Sequence, residues 1–375
     1  MALPLEGIVV ADLTQNVAGP FCTQVLGDMG ADVIKIERPG RGDDARAWAP
    51  PWWGDQSATF LAFNRNKRSV ALDLKMSAGR SVLKRLVARV DVLVQSLSAE
   101  ATRDLGVDFA GASAMNSRLV YCAITAFGTR GPLRDMPGYD PMMQAYGGLM
   151  SLLGEDGRPP VRVTVSIIDI ATAMWAVIGI LAALQERSQT GRGGFIDTSL
   201  YETTLAWMTL PISTYLANGE VPKRYGSGVE WIVPYQAFAA ADGHIMVAAG
   251  NDNLFRRLCD AIGRSRLAED PRFRTNSDRV VNREALIAIL SDLFATQPLA
   301  MWAERLDAAG IPNGPIRTVD QVVADAQTAA LGIIQQLRSI SLLGLPLSFD
   351  GTRPPLTKLA PQLGEDNEEL LEPTR

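Results

Sequence analysis

The residues that read most directly as chemistry are carboxylates. Asp169 stands in Ser166-Ile-Ile-Asp169, immediately ahead of an apolar run from Ile170 to Leu184. Ser-x-x-Asp before such a run is the spacing of a helix capping box, with Ser166 as N-cap and Asp169 closing back on it. That cap is the plainer of two readings. The other uses the same geometry: a carboxylate in a first helical turn faces free backbone N–H groups and the positive end of the helix dipole. It stays ionised and fixed there, as a carboxylate nucleophile must. Imidazole chemistry has little to draw on. The one histidine, His244, lies in Ala-Asp-Gly-His, the pattern of an exposed hairpin tip. Ser-His-Asp and Cys-His sites need an imidazole beside the nucleophile, and zinc hydrolases usually need several. No G-x-S-x-G elbow and no P-loop pattern occurs.

Other segments carry weaker signals. Thr14-Gln-Asn-Val-Ala-Gly-Pro20 joins a strand to a helix, the place where open α/β sheets bind ligands, although an ordinary turn would look the same. Phe63-Asn-Arg-Asn-Lys-Arg-Ser69 puts Arg65, Lys67 and Arg68 ahead of a strand and Lys75 after it. Such a run is usually a solvated surface, and beside a sheet edge it can also bind phosphates. Gly138-Tyr-Asp-Pro141 and Gly147-Gly148 punctuate helices. Ala249-Gly-Asn-Asp-Asn253 reads as a lid or as a simple helix cap.

Composition bounds these options. The chain has 375 residues, 47% of them hydrophobic, and a net charge of −5. It is long enough for one large core and a smaller one. It lacks the basic excess that a nucleic-acid partner asks for. Cys22, Cys122 and Cys259 are too scattered for a metal site or a secreted disulfide framework. MALPLEGIVVADL has no basic stretch ahead of an apolar run, unlike a signal peptide. The apolar run from Ile170 to Leu184 is short for a bilayer and reads as a buried helix. The expectation is a reduced, cytoplasmic protein with neither a metal nor a membrane partner.

The elements that would position these residues alternate. Strands are expected at Ile8–Leu13, Ala31–Glu37, Ser69–Leu74, Asp91–Leu97 and Leu119–Ala126, separated by helices at Pro20–Met29 and Ala78–Val90. This predicts a parallel sheet with helices on both faces, Rossmann-like. Glu37 sits where a ribose-binding acid would, but the G-x-G-x-x-G fingerprint is missing, which counts against a nicotinamide enzyme. Helices follow at Pro141–Leu153, Ser166–Arg187 and Glu202–Leu216, with a strand at Phe195–Leu200. Residues 218–231 form a Gly-rich irregular crossing. Pro234–Ala249 predicts a hairpin turning at Asp242-Gly243, and amphipathic helices follow. The domain reading is a large domain over 1–220, a small α+β domain over 221–323, and a return to the first over 324–375.

Taken in order, the motifs resemble one family. They are Leu5-Glu-Gly…Asp12-Leu…Ala18-Gly-Pro20, Leu26-Gly-Asp-Met-Gly-Ala-Asp-Val-Ile-Lys-Ile-Glu37, Asn64-Arg-Asn-Lys-Arg-Ser69, Pro137-Gly-Tyr-Asp-Pro141, Thr190-Gly-Arg-Gly193, Val233-Pro-Tyr-Gln-Ala-Phe238 and Asn313-Gly-Pro-Ile316. They resemble class III CoA-transferases, also called the formyl-CoA transferase or CaiB/BaiF family, over almost the whole chain. The resemblance implies a Rossmann-like large domain, a smaller domain and an interlocked homodimer. It implies CoA transfer between an acyl-CoA and a carboxylic acid acceptor, with no tightly bound cofactor. Asp169 matches the catalytic aspartate, which forms an anhydride and then an aspartyl-CoA thioester. Coenzyme A contacts map onto Val17, Ala18, Arg38, Leu72, Lys75, Ser96, Leu97 and Tyr139, and a covering loop maps near 249–251.

The sequence also departs from the pattern. Val17 replaces a frequent Gln, and Gln95-Ser-Leu-Ser-Ala-Glu100 replaces Glu-Asn-Phe-x-Pro-Gly. Asp104 stands where an arginine is expected, with Arg103 beside it as the substitute. Ser227-Gly-Val229 replaces Asn-Ala-His. Two further readings therefore stay open: an acyl-CoA racemase of the same superfamily, although racemases carry a His where Tyr139 stands, and a catalytically silent CoA-binding homologue.

Overall fold

The structure, a computed structural model, describes residues 3–371. Residues 1–2 of the N-terminal stretch and 372–375 of the C-terminal return lie outside the described residues. By internal contacts the chain divides into two units: 1–147, 163–209 and 326–375 in one, 148–162 and 210–325 in the other. The second unit thus takes in 148–162 and 210–220, which the sequence pattern places in the first, and 324–325, which it places in the C-terminal return.

The first unit is built on six strands: β1 (Val9–Leu13), β2 (Asp32–Glu37), β3 (Lys67–Ala71), β4 (Val92–Gln95), β5 (Val120–Thr125) and β6 (Phe195–Ser199). All neighbouring pairs are parallel. The order across the sheet is β3-β2-β1-β4-β5-β6. Val10, Ala11, Val92, Leu93 and Val94 are fully buried, the continuous apolar run of strands covered on both faces. Strand order reverses between β1 and β4, so their carboxyl ends diverge into a crevice.

The helices of this unit include α1 (Ala18–Asp28), α2 (Ala58–Asn64), α3 (Ser77–Val87), α4 (Ala99–Leu105), α5 (Phe109–Met115), α6 (Asp140–Tyr146), α7 (Ile167–Thr190) and α8 (Leu200–Trp207). The expected helix over 141–153 stops at Tyr146, because Gly147-Gly148 follows and Gly148 has φ 87°. The expected helix over 202–216 is two helices, α8 and α9 (Thr209–Asn218). Pro211 has no N–H to donate and its ring clashes with the carbonyl four residues back, which breaks the ladder near Met208.

α7 is longer than its apolar run. At 24 residues it is the one single helix among the described residues long and apolar enough to cross a membrane. Ile168, Ala171, Thr172, Ala176, Val177 and Ile180 bury one face. Gly179 brings the helix close to β6, where an added Cβ would stand 2.8 Å from Ile196 Cγ2. Met174, Trp175 and Ile178 on the other face are about half exposed. The C-terminal segment closes the open edge of the sheet: Ser69 N–H donates to Asp366 and Ala71 N–H to Asn367, which leaves β3 no free edge to aggregate through.

The second unit holds an antiparallel sheet of β7 (Tyr235–Ala240), β8 (Gly243–Ala248) and β9 (Asn313–Pro315), ordered β9-β8-β7. Helices α10 (Asp252–Ala261), α11 (Asn276–Val281), α12 (Arg283–Phe294) and α13 (Leu299–Ala308) surround a core of Phe238, Phe255, Phe294 and Trp302. The hairpin lies where the sequence put it, and exposed His244 pairs with Ala239 inside it. Asn251 is an N-cap, accepting from Leu254 N–H at 2.9 Å.

Candidate active site

The loop over 14–20 leaves the end of β1 and is held from behind by a buried ionic group. Asp12, Lys35 and Lys67 are fully buried on β1, β2 and β3, and Asp43 nearly so. Lys67 Nζ lies 3.0 Å from Asp12 Oδ2 and donates to the Pro20 carbonyl at 2.9 Å. Lys35 Nζ lies 2.8 Å from Asp43 and donates to the Thr14 carbonyl at 3.1 Å. Asp43 accepts the Asn16 N–H at 3.1 Å. Both ends and the middle of the loop are thereby tied down. Burial raises the Asp12 carboxyl, but the two ammonium groups and the Thr14 and Thr23 hydroxyls outweigh it and hold Asp12 well below the usual range. Burial pulls Lys67 down to about 8 against Asp12's attraction. Gly19 is obligatory here: a Cβ would sit 2.2 Å from Thr14 Cβ.

This arrangement corrects the reading of the basic run as a solvated or phosphate-binding surface. Lys67 is committed to Asp12. Arg65 is buried in a bidentate pair with Asp28, at 3.0 and 2.6 Å. Arg68 pairs with Asp32 and Glu369. Glu37 likewise faces no ribose, since its two oxygens accept from Arg46, Ser69 and the Asp43 N–H.

Asp169 lies in the first turn of α7. The expected capping box is absent: Ser166 makes no side-chain cap bond. The cap comes instead from Asp140, which is buried at the start of α6. Its Oδ2 accepts from the N–H groups of Ile168 at 2.7 Å and Asp169 at 3.4 Å. Its Oδ1 accepts from Gln144 Nε2 at 2.6 Å, and Gln144 holds the backbone of Val163 through both its amide atoms. Asp169 itself has no ion-pair partner among the described residues. The helix terminus does not keep it firmly ionised, contrary to the sequence reading: burial, and then the like charge of Asp140, push its carboxyl from 3.8 up to about 7. A carboxyl without a counter-ion, poised near neutrality, is unusual for a structural cap and suits a reacting group. Sequence reasoning passed over Asp140, and the only signal was its place in Gly-Tyr-Asp-Pro.

Two adjoining clefts open at the crevice between β1 and β4. One, of about 620 Å³, is lined by Asp169 with Val17, Ala18, Ser96, Leu97, Arg103 and Tyr139. The other, of about 540 Å³, is lined by Arg38, Leu72 and Lys75. Gln15 and Leu97 border both. Asp169 and the residues that the resemblance matches to CoA contacts therefore line these two clefts, whereas the loop near 249–251 belongs to the second unit and lines neither. Asp104 lines the cleft of Arg38, while Arg103 faces that of Asp169. Gln95 folds back, its Oε1 accepting from Leu97 N–H at 2.7 Å. Arg38 is half exposed and bonded to Asp44 at 2.9 Å. Asn16 Oδ1 is buried without a hydrogen-bond partner among the described residues. No group of three potential metal ligands occurs among them.

A doubly wound sheet offers a ligand the crevice at its switch point, and the cleft there holds the unpaired carboxyl of Asp169. The family model described as CoA-transferase family III matches residues 5–367, and the chain belongs to that family. It is 37% identical to the succinyl-CoA:glutarate CoA-transferase of Mus musculus, over 98% of this chain and 86% of that one. It is also 37% identical to the acetyl-CoA:oxalate CoA-transferase of Acetobacter aceti, over 98% and 95%. Among solved structures, a CaiB/BaiF family protein from Brucella suis superposes with a TM-score of 0.89 at 38% identity, covering 99% of this chain and 100% of that one. The protein is thus a family III CoA-transferase, an enzyme whose substrates are CoA thioesters.

Proposed function

We propose that the enzyme moves CoA from an acyl-CoA to a free carboxylic acid through covalent attachment at Asp169. The observation that carries this reading is Asp169 itself, uncompensated and perturbed to about 7 in a cleft with the CoA-matching residues. An Asp169 oxygen attacks the thioester carbonyl, the C–S bond breaks, and CoA leaves as thiolate from a mixed anhydride. The thiolate attacks the Asp169 carbonyl of that anhydride and releases the donor acid, leaving an aspartyl-CoA thioester. The acceptor carboxylate then repeats the sequence in reverse: it displaces thiolate to form a new anhydride, and the thiolate takes the acceptor's acyl carbon and frees Asp169.

Asp169 is a weak nucleophile in water. Partial burial removes competing hydration and raises its basicity, and an oriented thioester supplies the rest. Arg38 and Lys75 in the neighbouring cleft suit the phosphates, whose binding energy can be used to place the acyl carbon. Asn16 Oδ1 offers an acceptor to an amide N–H of the pantetheine arm. The relatives named above act on succinyl-CoA with glutarate and on acetyl-CoA with oxalate, and another acts on succinyl-CoA with D-citramalate. The acceptors are all dicarboxylic acids, and we extend that class to this chain.

We also propose a homodimer, with a second copy covering the exposed Met174, Trp175 and Ile178 of α7. The interlocked form is the one the family resemblance implies. Asp169→Asn tests the chemistry: it should bind CoA and lose transfer, since an amide forms neither anhydride nor thioester. Transfer at the wild-type rate would refute it.

A further inference from the structure

The cleft that holds Asp169 is lined by two cations, Arg103 and Arg134. They stand on different elements. Arg103 is on α4, which borders both clefts through Ala101, Arg103 and Asp104. Arg134 is on the turn between β5 and α6, which borders only the cleft of Asp169. Among the described residues the Arg134 side chain is bonded to its neighbour Asp135, with Nε 3.2 Å from Oδ2. The two side chains are 62% and 75% exposed. A pair this exposed is weak, because water screens it and holding two long side chains in one geometry costs entropy, so it is readily exchanged. Both terminal amino groups of Arg134 remain available, and a guanidinium edge is the natural partner of a carboxylate.

We propose that Arg134 binds the second, non-reacting carboxylate of a dicarboxylic substrate, first that of the donor's acyl group and then that of the acceptor. The proposal rests on the reaction proposed above. In that sequence the donor acid departs before the acceptor acid enters, so both occupy the same space beside Asp169. One cation can then select for a distal carboxylate on each. Asp135 is the internal stand-in that the substrate displaces.

The test compares matched chains. Succinyl-CoA and butyryl-CoA serve as donors, glutarate and valerate as acceptors, with kcat/KM measured for wild type and Arg134→Gln. The wild type should prefer the dicarboxylic member of each pair. The variant should lower both preferences by about tenfold, the effect of one charge-assisted hydrogen bond. Arg134→Lys, which keeps the charge without the fork, should fall between them. Equal losses on succinyl-CoA and butyryl-CoA would overturn the proposal, because Arg134 would then be serving CoA itself. An unchanged preference, or a wild type that does not discriminate, would also overturn it. A protein that transfers CoA between monocarboxylic acids but fails these comparisons retains the Asp169 mechanism. One in which no acyl-CoA leaves an adduct on Asp169 loses that mechanism as well.

Discussion

Asp169→Asn should stabilise the protein, and the gain should depend on pH in a way that only Asp169 can produce. The carboxyl is carried from 3.8 to about 7, first by burial and then by Asp140. The native state therefore keeps a proton over roughly three decades of pH in which the unfolded chain has released it, each decade worth about 1.4 kcal/mol. Below the unfolded value both states are protonated and the carboxyl costs nothing. As pH rises from about 4 to 7 the wild type loses stability, and above 7 the loss is constant. The ceiling is about 4 kcal/mol, and solvent at the mouth of the cleft screens it to about 2. Asn stays neutral throughout and satisfies a first helical turn about as well. The difference between variant and wild type should be near zero at pH 3.5 and open to about 2 kcal/mol by pH 8. Urea unfolding of both proteins across that range reads it directly, because titrating groups remote from Asp169 cancel. A difference that does not vary with pH, or that favours the wild type at pH 8, would refute the reasoning about burial and Asp140.

The same perturbed carboxyl sets the rate profile. kcat/KM should rise with pH through about 7 as Asp169 ionises, and Asp140→Asn should move that midpoint down by removing the like charge, as initial rates across pH would show. Arg38→Ala should weaken CoA binding by several-fold in calorimetry and reduce its salt dependence, without changing the unfolding midpoint, because the side chain is half exposed. Gly19→Ala should cost about 1–3 kcal/mol in denaturant unfolding and weaken CoA binding with it, since its Cβ would overlap Thr14.

The sheet was legible because its strands are short β-branched runs bounded by turn residues, and Val9–Leu13 and Val120–Thr125 begin and end within a residue of the pattern. The candidate site was legible through motif spacing, which placed Asp169 and the loop at 14–20. What escaped was partnership across the fold. Nothing local to Lys67 announces that Asp12, 55 residues earlier, lies beside it, or that Asp28 claims Arg65 from 37 residues away. The first pair exists only once β1, β2 and β3 are side by side, and the second only once the end of α1 meets the end of α2. Ser166 had the composition of a cap, but its ψ of 64° is not the extended backbone a capping side chain needs, and Asp140 took the role. Pro211 was a readable break within an otherwise continuous helical pattern.

The central claim is that Asp169 becomes covalently joined to acyl and to CoA. The most direct measurement is mass spectrometry of the protein quenched during turnover with succinyl-CoA, in parallel with samples treated with hydroxylamine and digested. The account predicts a CoA-sized addition on the peptide containing Asp169, replaced by a hydroxamate after hydroxylamine, and neither in Asp169→Asn. Turnover without any such addition, or an addition on a different residue, would contradict it.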